Sequence, residues 1–414
     1  MRESSQAPYV GLDVGTSTVR CVIGVVNADD EGHVSVIGHG SAPNLGMRKG
    51  IVVHADDVAE AVKQAVGEAE RVSGIKIDKA TVNINGTHIS GLNSRGVIAI
   101  SAANREIAND DRLRVEEAAT IIQLPPNREI IQVFAKNYRL DGQDNIKDPV
   151  GMQGVRLEVD THIVTAATPN LRSLDMVLEK AGLQPHNHTV ASLASAEAVL
   201  NRQQKESGTL LLDIGAGTTN LVVVEDGEIQ HVAVLPVGGI NITNDLAIGL
   251  KTDLDIAELV KTEHASLAPN TPHKSRLGVQ YDNKMHHFDG EELWMITEAR
   301  VDELLEFVDK ELKKIQRSRK LPGGVVLVGG TAKLPGIADF TKEKLQLAAR
   351  VGHLQPLAGL VDTVNDPAFT TAVGLMLLDM LLVPSNHLQA SGKPNPDAFR
   401  AIEGLFKRFM KRSR

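Results

Sequence analysis

The feature that most constrains this chain is a strand–turn–strand pattern with an Asp and a glycine-rich turn, which occurs twice. The first copy covers residues 10–23 and the second covers residues 211–224. Glycine permits positive φ and close approach of the backbone, so successive N–H groups of such a turn are suited to bind a phosphate. A single Asp-x-Gly hairpin is ordinary turn chemistry, but two copies predict a pair of hairpins that enclose one nucleotide.

Asp13 and Asp213 stand at the strand ends of the two hairpins. Carboxylates in this position are suited to hold a hydrated Mg²⁺, so both are candidate metal residues that act through water. A third element, residues 325–337, is an apolar strand that runs into a Gly-Gly turn, which is suited to approach a base or ribose. The candidate phosphate- and nucleotide-binding residues in these elements and in a further Gly-Gly pair are Gly15, Thr16, Ser17, Gly215, Ala216, Gly217, Thr218, Thr219, Asn220, Gly239, Gly329, Gly330 and Thr331.

Each hairpin is the beginning of the same predicted succession of elements, three strands followed by a helix. The predicted strands are residues 10–12, 19–26 and 34–39 in the first copy and 209–213, 220–225 and 228–236 in the second, with helices at 55–72 and 242–249. Two segments rich in small residues, 187–204 and 367–380, are each predicted as one helix, and the two helices are expected to cross between the lobes as a hinge.

The predicted fold is α/β and two-lobed, with duplicated β-meander and helix cores and a subdomain inserted in each lobe. The expected divisions are a first-lobe core at 8–84, 166–205 and 363–384, its insertion at 85–165, a second-lobe core at 206–249 and 321–362, its insertion at 250–320, a flexible linker at 385–397 and a C-terminal amphipathic helix at 398–414.

The composition argues against nucleic acid as a partner and against export. The formal net charge of −8 is opposite to that of most nucleic-acid-binding proteins. The single cysteine, Cys21, cannot form an intramolecular disulfide, and the polar first residues do not resemble a signal peptide. We therefore expect a protein of the cytoplasm.

The last residues of the chain have the pattern of a basic amphipathic helix. At helical spacing the apolar positions form one arc, and the basic positions lie outside it. Such a helix is suited to lie in an anionic membrane surface, although packing on the protein's own core or in a partner's groove remains open. The candidate membrane residues are Phe399, Ile402, Leu405, Phe406, Lys407, Arg408, Phe409, Met410, Lys411 and Arg412.

The hairpins, the Gly-Gly turn and the crossing helices resemble the superfamily of actin, sugar kinases and DnaK-type chaperones. Within it, residues 9–23, 46–52 and 236–247 and the basic tail resemble the bacterial cell-division protein FtsA. The resemblance implies an actin-like fold, ATP and Mg²⁺ in the cleft, and filaments of the chain with itself on the cytoplasmic face of the inner membrane. It also implies that the chain binds FtsZ through the second insertion and recruits downstream division proteins.

By the same resemblance, Glu258 and Lys261 are nucleoside-contacting residues; on spacing alone they form an ordinary surface ion pair. Ala191-Ser192 and Asn220 depart from the family pattern, so at most slow ATP hydrolysis is expected. Arg300 and Glu303 are candidate FtsZ contacts, with a solvated helix face as the alternative. The competing functions are an actin-like pilus-assembly protein and an ATP-dependent sugar-kinase-type phosphotransferase.

Overall fold

The computed structural model describes residues 8–26, 34–268 and 276–382. From the N-terminus to the end of the first insertion, the elements are β1 (Tyr9–Val14), β2 (Thr18–Val26), β3 (Val34–Pro43), β4 (Met47–Arg48), β5 (Ile51–Val52), α1 (Ala55–Ser73), β6 (Lys79–Ile84), β7 (Ser90–Ala99), α2 (Asn109–Ala119), β8 (Arg128–Leu140), β9 (Gln143–Ile146) and β10 (Arg156–Ala167).

The remaining elements run from the end of that insertion to the last described residue. They are α3 (Thr168–Ala181), β11 (Gln184–Val190), α4 (Ala191–Val199), α5 (Arg202–Ser207), β12 (Thr209–Ile214), β13 (Thr219–Glu225), β14 (Glu228–Leu235), α6 (Gly239–Gly249), α7 (Leu254–His264), β15 (Leu277–Tyr281), β16 (Lys284–Phe288), α8 (Gly290–Lys314), β17 (Gly324–Val328), α9 (Ile337–Leu345), β18 (Ala349–Val351), β19 (Ala358–Gly359), α10 (Val361–Val364) and α11 (Thr370–Leu382).

Two core sheets repeat one plan. The first, in the order β11-β6-β1-β2-β3-β19, defines the first lobe, and the second, in the order β14-β13-β12-β17-β18, defines the second lobe. In each sheet an antiparallel three-stranded meander joins a parallel neighbour, β1 with β6 and β12 with β17. The apolar runs that alternate with glycine turns fold as these meanders, which confirms the predicted duplicated α/β architecture.

The first insertion has its own sheet, in the order β7-β10-β8-β9, with α2 packed on one face. The helix approaches the strand closely at Gly96, where a Cβ would lie 2.0 Å from the carbonyl oxygen of Val115. Helix α2 begins at Asn109, and at its start the Asp111 side chain accepts a hydrogen bond from the N–H of Ala108.

The prediction of one helix over 187–204 is wrong. Residues 184–190 form β11, which pairs in parallel with β6, and only then does α4 begin. Leu200 is extended, and Asn201 starts a separate helix, α5, by accepting a hydrogen bond from the N–H of Gln204. Long-range strand pairing and a helix cap thus divide a segment whose small residues favour a continuous helix.

Helices α4 and α11 cross in contact, as expected from their small residues. A Cβ on Gly374 of α11 would lie 1.8 Å from the carbonyl oxygen of Ala194 in α4. At its other end α11 is held on the first sheet, because Asp379 accepts hydrogen bonds from the N–H of Val10 (2.9 Å) and from Thr81 Oγ1 (2.7 Å). The second predicted crossing helix is therefore present, with a short 3-10 turn at Pro367–Phe369 before it.

The first insertion also packs on the second lobe, through a buried histidine. His162 of β10 is 1% exposed, and its Nε2 accepts a hydrogen bond from the N–H of Val232 in β14 (3.1 Å). Its Nδ1 lies 2.9 Å from Asn93 Oδ1, so Nδ1 carries the proton in the neutral ring. Burial, with Lys136 and His231 nearby, lowers the pKa of His162 to about 3.

We predict that the buried His162 makes the folded chain less stable in mild acid. The pKa of His162 is lower in the folded chain than in the unfolded one, so below pH 6.5 the unfolded chain binds a proton that the folded chain does not. The free energy of unfolding therefore falls as the pH falls below 6.5. A His162→Gln variant keeps an acceptor for Val232 but does not titrate. Between pH 7 and pH 5, we expect the unmodified chain to lose about 2 kcal/mol more unfolding free energy than this variant. Urea unfolding at both pH values measures the difference, with the exposed His287→Gln as control; equal losses in all three proteins would contradict it.

None of the helices in the described ranges is long and apolar enough to cross a membrane. The predicted linker at 385–397 and the amphipathic helix at 398–414 lie outside the described residues.

Candidate functional site

The two glycine turns face each other across the lobes. In both copies the first glycine closes the turn with the same bond, from Gly15 N to Thr18 O (3.2 Å) and from Gly215 N to Thr218 O (2.9 Å). A Cβ on Gly217 would lie 2.8 Å from Thr16 Cγ2, so a side chain at this position would have to displace Thr16 of the other turn. The structure therefore brings together turns that are far apart in the sequence.

The remaining turn residues differ in their surroundings. Ser17 is exposed, whereas Thr219 is buried and donates to the carbonyl oxygen of Val237 (2.8 Å). Thr218 Oγ1 donates to Asn85 Oδ1 at the start of the first insertion (3.2 Å). Asn220 is 2% exposed, and its Oδ1 has no hydrogen-bond partner among the described residues. Thr219 thus supports the turn, while Asn220 offers an unused buried acceptor.

The two candidate metal residues are buried carboxylates. Asp13 is 9% exposed and accepts a hydrogen bond from Asn83 Nδ2 (2.6 Å). Burial raises the pKa of Asp13 to about 7, with Arg20 opposing the rise and Asp213 adding to it. Burial also raises the pKa of Asp213. Two desolvated carboxylates that repel each other form a site where a cation is favourable.

Arg20 is a site residue that none of the sequence motifs indicated. It is the direct partner of Asp13 in the β1–β2 register, whereas Asn220 is the partner of Asp213 in the β12–β13 register. Its guanidinium carbon lies 5.4 Å from the ring centre of Phe369. Strand pairing across a short turn was the available signal, because residues that oppose each other in an antiparallel pair share one face. Arg20 comes from the first hairpin alone, but its charge acts on both carboxylates, because it opposes the effect of burial on the pKa of Asp13 and of Asp213.

Asp213 binds the crossing helices. Thr371 Oγ1 of α11 donates to Asp213 Oδ2 (2.8 Å), and Ser195 Oγ of α4 lies 3.3 Å from the same oxygen. The other carboxylate oxygen, Oδ1, faces the third predicted element: a Cβ on Gly329 would lie 2.5 Å from it. Gly329 also has a φ of 87°, so both its backbone conformation and its closeness to Asp213 require glycine at this position. By contrast, nothing lies within 4 Å of a Cβ on Gly330.

The residues expected at the nucleoside lie beside the second turn. Lys261 Nζ pairs with Glu258 Oε2 (2.5 Å) and donates to the carbonyl oxygen of Gly239 (3.2 Å). Thr331 Oγ1 donates to the carbonyl oxygen of Gly215 (3.1 Å), and a Cβ on Gly239 would lie 2.6 Å from Thr331 Oγ1. Residues from α7, the start of α6, the second turn and the Gly-Gly turn therefore meet in one place.

The residues present fit ATP with Mg²⁺. Added Cβ atoms on Gly217, Gly239 and Gly329 would collide with Thr16, Thr331 and Asp213, so glycine lets the two turns, the Gly-Gly turn and a buried carboxylate approach each other closely, as the binding of phosphates by backbone N–H groups requires. The buried carboxylates of Asp13 and Asp213 are hard oxygen ligands of the kind that Mg²⁺ takes directly or through water.

The candidate FtsZ contacts lie on α8, outside the cleft. Arg300 binds Asp245 of α6, with Nη2 3.0 Å from Oδ1, and also pairs with Glu303. Its side chain is 24% exposed and that of Glu303 is 44% exposed. Arg300 thus joins α8 to α6 within the second lobe, and Glu303 is the more accessible of the two.

Comparisons with known proteins agree with this architecture. A family model described as Cell division protein FtsA matches residues 210–374, and one described as SHS2 domain inserted in FTSA matches residues 86–165. The chain is 36% identical over 371 residues to the Cell division protein FtsA of Pseudomonas aeruginosa, covering 89% of this chain and 88% of that protein. It is also 36% identical over 371 residues to the Cell division protein FtsA of Bacillus subtilis, covering 89% and 82%.

Solved structures give the fold. A PilM-PilN type IV pilus biogenesis complex matches with a TM-score of 0.63 at 18% identity, over 90% of this chain and 99% of that chain. MreB5 of Spiroplasma citri bound to ADP matches with a TM-score of 0.53 at 12% identity, over 90% and 95%. These likenesses and the two lobes confirm the expected actin-like fold with its inserted subdomain. The chain belongs to the Cell division protein FtsA family.

Proposed function

We propose that this chain is an ATP-binding, membrane-tethered filament protein that anchors the FtsZ ring to the inner membrane and recruits downstream division proteins. Membership of the family supports a role in cell division. The observation that carries the nucleotide part is the apposition of two glycine turns over two buried carboxylates, Asp13 and Asp213.

In this proposal the backbone N–H groups of both turns donate to the phosphates, and Gly329 and Gly330 approach the ribose or base. Asp13 and Asp213 would hold Mg²⁺ through water, and the ion would supply positive charge that offsets the charge of the phosphates. Lys261 and Glu258 contact the nucleoside from α7. The printed descriptions of two neighbouring MreB5 structures, bound to ADP and to AMPPNP, support a nucleotide in a cleft of this fold.

We propose that the nucleotide acts mainly as a conformational and polymerisation ligand. Ala191 and Ser192 begin α4, where related ATPases place a side chain that orients the attacking water. Ser192 is 0% exposed, and its Oγ has no partner among the described residues. Neither side chain is a carboxylate or an amide, so hydrolysis at this site is slow and ATP binding itself shifts the population of lobe arrangements.

The membrane part of the proposal rests on the C-terminal tail. The described part of α11 extends to Leu382, and in the sequence residues 385–397 lie between it and the basic amphipathic pattern at 398–414. One short amphipathic helix binds lipid weakly and reversibly, so stable attachment comes from many tails along a filament.

Vesicle co-sedimentation tests the proposal. The full chain and a chain ending at Pro384 are mixed with FtsZ and with anionic or neutral vesicles, with and without ATP. We expect only the full chain to sediment with anionic vesicles, to bind more strongly with ATP and to bring FtsZ with it. The outcome against the proposal is equal coating of anionic vesicles by the shortened chain.

The FtsZ contact is proposed for the exposed face of α8. Glu303 and Glu306 are one turn apart, and the Glu306 side chain is 64% exposed. We expect Glu303→Lys, with Arg300 retained, to reduce FtsZ recruitment to vesicles while vesicle binding by the chain itself is unchanged. Recruitment equal to that of the unmodified chain removes this face as the contact. Arg300 is unsuited to the test, because its charge reversal would also break the Asp245 pair.

A pilus-assembly role is the second candidate, because a PilM-PilN complex has the same fold over 90% of this chain. The basic tail argues against it, since a soluble assembly protein does not need a membrane helix. The sugar-kinase alternative predicts phosphorylation of a small polyol by the purified chain.

A further inference from the structure

Asp213 is placed to connect the nucleotide cleft with the helices that cross between the lobes. It stands at the end of β12 in the second lobe, while its two hydroxyl partners, Thr371 and Ser195, come from α11 and α4. All three residues are at most 6% exposed, so water does not compete freely for these bonds.

The two oxygens of this carboxylate face different parts of the molecule. Oδ2 accepts from Thr371 Oγ1 at 2.8 Å, whereas Oδ1 faces Gly329 of the Gly-Gly turn. A group bound near Oδ1 therefore acts on the same side chain that α11 holds through Oδ2.

The hydroxyls form an ordered chain. Ser195 Oγ lies 2.9 Å from Thr371 Oγ1 and 3.3 Å from Asp213 Oδ2. Each hydroxyl has one proton to donate. Thr371 Oγ1 lies closer to the carboxylate than Ser195 Oγ does, so Thr371 donates to Asp213. Ser195 then donates its proton to Thr371 Oγ1, which is nearer to it than the carboxylate is. Thr371 is then the direct contact, and Ser195 supports it.

Helix α11 spans both lobes. Its first turn binds Asp213 of the second lobe through Thr371, and near its last turn Asp379 accepts from Val10 and Thr81 of the first sheet. The segment before it is also tied to the second lobe, because Gly329 N donates to the carbonyl oxygen of Pro367 (3.0 Å). A change in the position of Asp213 is thereby transmitted along one helix to the first lobe.

We infer that Thr371, supported by Ser195, is a positioning residue that fixes Asp213 and couples occupation of the cleft to the helix on which the lobes turn. This inference rests on the proposed nucleotide site. It assigns the coupling to two hydroxyls on α4 and α11, outside both phosphate turns, and it gives Thr371 the larger effect.

The test uses the full chain and four variants: Thr371→Val, which keeps the shape but removes the hydroxyl, Thr371→Ser, which restores it, Ser195→Ala, and Thr341→Val as the control. Thr341 is 0% exposed and its Oγ1 has no partner among the described residues, so this control makes the same chemical change at a buried position of another helix. The two readouts are Mg²⁺-nucleotide affinity, from a fluorescent ATP analogue, and nucleotide-induced protection of α11 amides from hydrogen exchange.

We expect Thr371→Val to bind the Mg²⁺-nucleotide about tenfold more weakly, as for loss of a hydrogen bond to a charged group, and to lose the protection of α11. Ser195→Ala has a smaller effect, about threefold. Thr371→Ser and Thr341→Val behave as the unmodified chain.

The inference is overturned if nucleotide protects α11 equally in Thr371→Val and in the unmodified chain. It is also overturned if Thr371→Ser is as impaired as Thr371→Val, since that indicates a packing defect. If the unmodified chain bound no nucleotide, the proposed function would fall first and this inference with it.

Discussion

The free energy of unfolding of a Gly374→Val variant is expected to be about 3 kcal/mol lower than that of the unmodified chain. Gly374 lies within α11, where the backbone meets α4: an added Cβ would stand 1.8 Å from the carbonyl oxygen of Ala194 and 2.3 Å from its carbonyl carbon. Both contacts are with backbone atoms, so a side-chain rotation cannot relieve them. The helices must separate, and the fully buried apolar contacts along α4 and α11 are lost with that movement.

Gly67 is the matched control for this variant, because it also lies within a helix but has nothing within 4 Å of an added Cβ. Gly67→Val is expected to be neutral or slightly stabilising, since glycine is the poorer helix former. Urea unfolding, followed by circular dichroism, measures both. Equal stability of the two variants would contradict the close crossing of α4 and α11.

An Asp13→Asn variant is expected to make the nucleotide-free chain more stable while it weakens Mg²⁺-nucleotide binding. Burial raises the pKa of Asp13 from 3.8 to about 7, so keeping this carboxylate ionised at neutral pH costs folding free energy. Asparagine keeps an acceptor for Asn83 and removes the charge. We expect a gain of about 4 kcal/mol at pH 7.5 in the absence of Mg²⁺ and nucleotide.

The sign of the pH dependence distinguishes this explanation from a packing effect. An acid whose pKa is raised on folding binds more protons in the folded chain, so its cost falls as the pH falls from 7 towards 4. The advantage of Asp13→Asn should therefore shrink at lower pH, opposite in sign to the effect of His162. The exposed Glu343→Gln serves as the control. An advantage that stays constant from pH 7.5 to pH 5 would contradict the role of the buried charge.

Much of the architecture was predictable because its signals are local. The Asp-x-Gly turns, the apolar runs beside them and the Gly-Gly turn after β17 each fold as short-range patterns indicate. Their repetition revealed the duplication and hence the pairing of Asp13 with Asp213 in one cleft. The basic tail was equally visible in the sequence, but its residues lie outside the described ranges.

Other features depended on contacts between distant residues. β11 is a strand because β6 offers it a parallel edge, which no property of residues 184–190 reveals. Asn83 and Thr371 became site residues only because β6 and α11 lie beside the turns. The ion pair of Arg300 with Asp245 likewise follows from the packing of α8 on α6, and the sequence alone indicated only an exposed charged helix.

The central claim is that both glycine turns hold one Mg²⁺-nucleotide between the lobes. Calorimetric titration of the full chain with Mg²⁺-ATP tests it most directly, together with Gly217→Val in the second turn and Gly329→Val in the Gly-Gly turn. The account predicts one binding site per chain and its loss in both variants, with folding confirmed by circular dichroism. A chain that binds no nucleotide, or folded variants that both bind it as tightly as the unmodified chain, would contradict the account.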